Sequence, residues 1–252
     1  MERFPIFRSY TFGFSEKAAL DRDGHYVLPG LLTERACEKL TESLSHVESL
    51  IPVGVKGHEP NRFAAEYDGF LESLIGHPQL LGLARKVLGE EIRYDHCVTL
   101  NRPGGNRGIH WHSHEYSDAD PQLGFVRIFF YVNGFEADDG GLKAVPGSHL
   151  FRDAHIHAST DEELRTGWMA GKRHPMTGEP LQIEGLSAPT GTVVLMWTHA
   201  AHAVTPRRQS SDTRWAVVYA YRNPGAPSRA RWISEAFERK SITGAEGLMG
   251  LY

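Results

Sequence analysis

Hydrophobic and polar positions change period once along the chain, near residue 90. Before that point the apolar residues recur every three or four positions. Ala36, Cys37, Leu40, Leu44, Val47 and Leu50 form one such stripe behind Thr33, which predicts an amphipathic helix with Thr33 as its cap. Leu80, Leu81, Ala84, Val87 and Leu88 form another, opened by Pro78 and stopped by Gly89, as expected for a proline in the first turn and a glycine past the last. The segment DGHYVLPGLLT, ending at Thr33, predicts a short extended piece that turns at Pro29-Gly30.

Beyond Gly89 the period falls to two. In EIRYDHCVTLN the spacing puts Ile92, Tyr94, His96, Val98 and Leu100 on one strand face and Arg93, Asp95, Cys97, Thr99 and Asn101 on the other. FVRIFFYVN (125–133), LKAVPGSH, GTVVLMW (191–197) and RWAVVYAY (214–221) predict further strands, with Asp138-Asp139-Gly140-Gly141 as a turn. Many short strands divided by Gly/Pro turns, preceded by helices, predict a mainly β (α+β) fold. We read it as a jelly-roll barrel with an N-terminal helical layer. Residues 151–185 are polar and irregular and predict an excursion; with Trp168 and Met169 they are the candidate lid.

Composition narrows this only a little. A length of 252 residues suits one domain spanning 1–252, and a formal charge of −4 marks no surface for nucleic acid or anionic membrane. Cys37 and Cys97 stand far apart, with no redox or metal spacing. The opening MERFPIFRSYTFGF lacks a leader's apolar core and cleavage site, and VVLMW (193–197) is too short to span a bilayer. A cytoplasmic protein is expected.

Histidine is the abundant chemical residue, with 14 copies. In HWHSHEY, His110, His112 and His114 fall at every second position, so on a strand they would share a face. Two imidazoles on one strand can grip one ion, and a third ligand must then come from elsewhere. THAAHAVTPRR offers His199 or His202 just after a strand. Arg214 opens a strand whose same-side neighbours Ala216, Val218 and Ala220 are small, while Trp215, Val217, Tyr219 and Tyr221 are bulky. Small interior residues leave room for a ligand, and a guanidinium fork matches a carboxylate.

RDGHYVLPGLLT, PGGNRGIHWHSHEY, DDGGLKAVPGSHL and HAVTPRRQSSDTRWAVVYAY, in that order, resemble the successive landmarks of the phytanoyl-CoA dioxygenase family. These are iron(II)- and 2-oxoglutarate-dependent oxygenases on a double-stranded β-helix. The resemblance implies Fe(II) and 2-oxoglutarate as cofactors, and O2 and a small molecule as substrates. It places the family's paired ligands at His112 and His114, the distal histidine at His202, and the arginine for the far carboxylate of 2-oxoglutarate at Arg214. It also implies a 2-oxoglutarate contact near Thr99, with Arg102 in place of a frequent lysine.

One departure stands out. The family pattern has aspartate where this chain has His114, and the usual non-haem iron site pairs two histidines with one carboxylate. His114 itself is one candidate for the third ligand. Glu115, Asp118 or Asp120 would restore a carboxylate, and a slip of register would make His110 and His112 the pair. Imidazole at 114 argues against a halogenase, which needs that space for halide. Oxidation of a small metabolite, hydroxylation by default, is the expected activity. The alternatives are a cupin-type or non-redox binding protein, and a three-histidine iron dioxygenase that does not use 2-oxoglutarate.

Overall fold

The computed structural model describes residues 4–51, 60–114, 123–225 and 232–250. Five helices come before the main strands: α1 (Phe14–Asp23), α2 (Glu34–Ser49), α3 (Ala64–Tyr67), α4 (Gly69–Ile75) and α5 (Pro78–Leu88). Thr33 caps α2 by accepting from the Ala36 amide at 3.2 Å, as its sequence predicts. Among these helices runs β1 (His25–Leu28), followed by β2 (Arg93–Thr99), β3 (Ile109–His112), β4 (Phe125–Tyr131), β5 (Leu142–Ala144), β6 (His157–Ala158), β7 (Glu184–Gly185), β8 (Thr192–Trp197), β9 (His202–Val204) and β10 (Ala216–Arg222). Two short helices complete the chain, α6 (Asp161–Thr166) and α7 (Glu235–Glu238).

The strands form two five-stranded antiparallel sheets. One has the order β1-β8-β4-β10-β2 and the other β6-β3-β9-β5-β7. Residues from both sheets, among them Phe129, Met196, Val204 and Val218, share one apolar cluster, so the sheets face each other as in a jelly roll. The larger sheet, β1-β8-β4-β10-β2 with its longer strands, carries the helical layer on its other side. There Val126, Ile128, Phe130, Val217, Tyr219 and Tyr221 pack with Leu40, Leu44, Leu71 and Leu80. The Tyr219 and Tyr221 hydroxyls donate to the carbonyls of Leu71 and Ile75, each at 2.9 Å.

The strict alternation expected for β2 does not hold. Ala220 pairs with His96 but Tyr221 pairs with Tyr94, leaving Asp95 without a partner across the ladder. This bulge moves Tyr94 and Cys97 to the helical side and Val98 to the interior. The expected lid is also corrected. Ile156, Leu164, Met169 and Leu181, from the 151–185 excursion, pack against Trp111 and Ala203 on the outer side of the smaller sheet. The Trp111 indole donates to Asp161 at 2.8 Å. The excursion is thus a cladding over a sheet whose outer face would otherwise be wet.

Candidate active site

A cavity of about 370 Å³ lies between the sheets, and none of residues 151–185 lines it. At one end stand His112, His114 and His202. The ring centroids are 4.2 Å apart for His112–His202, 4.8 Å for His112–His114 and 5.2 Å for His114–His202. Their ligand nitrogens lie within 4.8 Å of one another.

Two local features build this triad. The pairing of β3 with β9 sets His112 opposite His202 and Ile109 opposite Val204. Three residue steps on β3 thus span two on β9, a bulge, and both Ile109 and His112 face the cavity. The shared face expected for His110, His112 and His114 is therefore broken. His110 is exposed and meets the Ser159 carbonyl through Nδ1 at 3.1 Å, so the register slip that would pair His110 with His112 is not what the fold provides. His114 lies just past β3, where its amide donates to the Thr198 carbonyl and its own carbonyl meets His199 Nδ1 at 2.9 Å. His199 buttresses the loop, and His202 is the member that enters the triad. Glu115, Asp118 and Asp120 lie outside the described residues.

The triad is chemically ready for a metal. His112 Nδ1 meets the His110 carbonyl and His202 Nδ1 meets the Ala200 carbonyl, each at 2.9 Å. A carbonyl only accepts, so each Nδ1 carries the proton and each Nε2 keeps its lone pair. Burial pushes all three imidazoles below their ordinary pKa, His114 and His202 far below, and the charge of Arg127 adds to the effect. Neutral imidazole is the ligating form. Three such donors fit a first-row divalent ion such as iron(II).

At the other end sit Arg214 and Arg102, joined by backbone bonds of 2.9 and 2.8 Å between the residues. Arg214 is 1 % exposed, its guanidinium lies 5.2 Å from the Tyr131 ring centroid, and its Nη1 donates to the Gly140 carbonyl. Among the described residues its Nε has no hydrogen-bond partner, nor has that of Arg102. Burial lowers both pKa values, that of Arg214 to about 10. Two buried guanidiniums beside each other, with no lining carboxylate among the described residues, make a site for an anion. Thr99 lines the same space, its hydroxyl donating to Asn61 Oδ1 at 2.7 Å. Asn101 turns away, donating to Glu48 at 3.0 Å.

The remaining motifs are structural. Asp139 accepts from Arg207 Nη1, the Arg208 amide and the Ser211 hydroxyl at 3.0, 2.8 and 2.6 Å, so the expected turn also pins the loop that follows β9. His149 of PGSH meets the Asp21 carbonyl through Nε2 at 2.9 Å, far from any ligand role. Arg127 was missed by sequence reasoning, although a lone charge inside FVRIFFYV is visible there. Arg62 and Trp232, stacked at 4.4 Å on the cavity wall, come from distant segments and leave no comparable signal.

Known proteins resemble this chain in sequence and in fold. A dioxygenase of Epichloe uncinata, lolE1, is 27 % identical over 61 % of this chain and 55 % of its own length. A probable alpha-ketoglutarate-dependent hypophosphite dioxygenase of Stutzerimonas stutzeri is 22 % identical over 60 % of this chain and 53 % of its own. The chain thus matches about half the length of these curated relatives. The solved carbocyclase SnoK of nogalamycin biosynthesis superposes with a TM-score of 0.68 at 17 % identity, covering 92 % of both chains. HygX of Streptomyces hygroscopicus, solved with nickel and 2-oxoglutarate, superposes with a TM-score of 0.66 at 15 % identity, covering 92 % of this chain and 96 % of its own. These likenesses identify the fold as the double-stranded β-helix. The sequence model of the phytanoyl-CoA dioxygenase family matches residues 20–216, and the chain belongs to that family.

Proposed function

We propose that this protein is an iron(II)- and 2-oxoglutarate-dependent dioxygenase that couples decarboxylation of 2-oxoglutarate to oxidation, by default hydroxylation, of a small molecule. The observation that carries this reading is one cavity with three neutral imidazoles at one end and a buried arginine pair at the other. His112, His114 and His202 would hold the iron, which when bound supplies oxygen activation. Arg214 takes the far carboxylate of 2-oxoglutarate, with Arg102 and Thr99 alongside. The carbonyls of His110 and Ala200 hold the two facing imidazoles in their ligating tautomer. Phe129, Tyr131 and Val218 give the cavity apolar walls, which exclude water from the reacting centre.

The test is anaerobic addition of iron(II) and 2-oxoglutarate. A weak visible charge-transfer band should appear, and Arg214→Ala should lose it. Oxygen should then yield succinate once a substrate is supplied. Absence of both iron and 2-oxoglutarate binding would overturn the reading. A second reading is favoured by imidazole in the carboxylate place: a three-histidine iron dioxygenase that needs no 2-oxoglutarate. It predicts iron binding without the band.

A further inference from the structure

Arg127 is a buried cation that has no ion-pair partner among the described residues. It lies mid-strand in β4, and on that strand Arg127, Phe129 and Tyr131 all line the cavity, as residues two apart must. Ala220 sits opposite Arg127 on β10, and its methyl leaves the longer side chain room. The residue is 5 % exposed and its Nε has no hydrogen-bond partner. Among the described residues, no carboxylate forms an ion pair with it. The acid whose charge reaches it is Asp95, but that carboxylate is committed. One oxygen meets His96 Nδ1 at 2.6 Å and the other lies 3.4 Å from Arg222 Nε.

Burying an uncompensated charge costs several kcal/mol, and a neutral side chain of similar length would avoid that cost. The guanidinium is therefore placed for something that arrives. Arg102 and Arg214 gather beside Tyr131, four residues along β4, which is about 13 Å away at the rise of an extended strand. The charge of Arg127 instead bears on all three imidazoles of the triad. The cavity thus has two cationic poles, and among its described lining residues Arg62, Arg102, Arg127 and Arg214 face no aspartate or glutamate.

We propose that Arg127 anchors an oxyanion of the substrate beside the metal triad, so that the enzyme oxidises a small anionic molecule bearing a carboxylate, sulfonate or phosphonate group. This rests on the oxygenase reading of the same cavity, in which 2-oxoglutarate fills the Arg214 pole. The neutral imidazole triad fits it, because it does not repel a second anion nearby.

Titration calorimetry without oxygen tests this. The protein is loaded with iron(II) and saturated with 2-oxoglutarate, and the probes are acetate, methanesulfonate and methylphosphonate. At least one probe should bind the wild type and bind Arg127→Met at least about tenfold more weakly, the scale of one lost charge-assisted contact. Arg127→Lys should retain part of the affinity, and 2-oxoglutarate should bind all three proteins alike. Arg127→Met removes a buried charge, so thermal melts should show it at least as stable as the wild type. The proposal is overturned if no probe binds a wild type that does bind 2-oxoglutarate, or if Arg127→Met binds the probes as well as wild type. It is equally overturned if Arg127→Met loses 2-oxoglutarate instead, which would put the guanidinium under the keto acid. A wild type that binds no 2-oxoglutarate sinks the oxygenase reading separately, and probe titrations without the keto acid then decide Arg127.

Discussion

The rings of His112 and His202 lie 4.2 Å apart because β3 and β9 set the two residues directly opposite each other. Each ring is steered by one backbone carbonyl two residues earlier. A metal shared by the pair should depend on both. His112→Ala or His202→Ala should lower iron(II) affinity by more than the roughly 10–100-fold that loss of a mere supporting contact costs. His114→Asp should keep the metal and tighten it, since a carboxylate adds a negative charge. Competition titration with a chelating dye measures this, and an alanine variant that retains iron like the wild type would refute the triad.

Arg214 and Arg102 should not contribute equally. Arg214 is the more buried and lies against Tyr131 and Phe135, whereas Arg102 already donates to Asn106 at 3.0 Å. Arg214→Lys should lose 2-oxoglutarate affinity because an ammonium cannot make the paired contact of a guanidinium. Arg102→Met should weaken it less. Calorimetry on the iron-loaded protein ranks the two, and the reverse ranking would move the clamp to Arg102.

Stability should fall on mild acidification through His149. Burial holds its pKa down at about 4, against an ordinary value of 6.5. Between those values the unfolded chain takes up a proton that the native state refuses, so stability is lost as pH falls from 6.5 toward 4. The contribution reaches at most about 3 kcal/mol. Urea unfolding across that range should show a shallower pH slope for His149→Gln, and an unchanged slope would mean other groups carry the effect.

The 151–185 excursion should behave as structure and not as a gate. Leu164 is fully buried in the cluster around Trp111, so Leu164→Ala should cost about 2–5 kcal/mol. Its 2-oxoglutarate affinity should stay at the wild-type value. Denaturant titration paired with calorimetry separates the two effects, and altered keto-acid binding at unchanged stability would restore the lid.

Much of this was legible in residue order. The stripes behind Thr33 and Pro78 became α2 and α5, and the alternation expected from Arg214 to Tyr221 became β10 from Ala216 onward, with Ala216 and Val218 inward and Val217, Tyr219 and Tyr221 toward the helices. His112, His114, His202 and Arg214, singled out in the sequence, all line one cavity. The two bulges were not, because neither Asp95 nor the 109–112 segment contains a glycine or proline to mark an extra residue, and a strand's period cannot show one. That is why His110 was grouped with the inward histidines. The destination of 151–185 was hidden as well, since its apolar residues are sparse and their partner, Trp111, is forty residues away or more.

The alternation along β10 has an evolutionary corollary. Tyr219 and Tyr221 fasten the strand to α4, while Ala216 and Val218 turn the other way, between the sheets, and Val218 lines the cavity. Fastening and molecular choice are thereby assigned to interleaved codons of one short segment. A lineage can trade valine for alanine or threonine at position 218, reshaping the cavity, while leaving the rivets that keep the strand in place untouched.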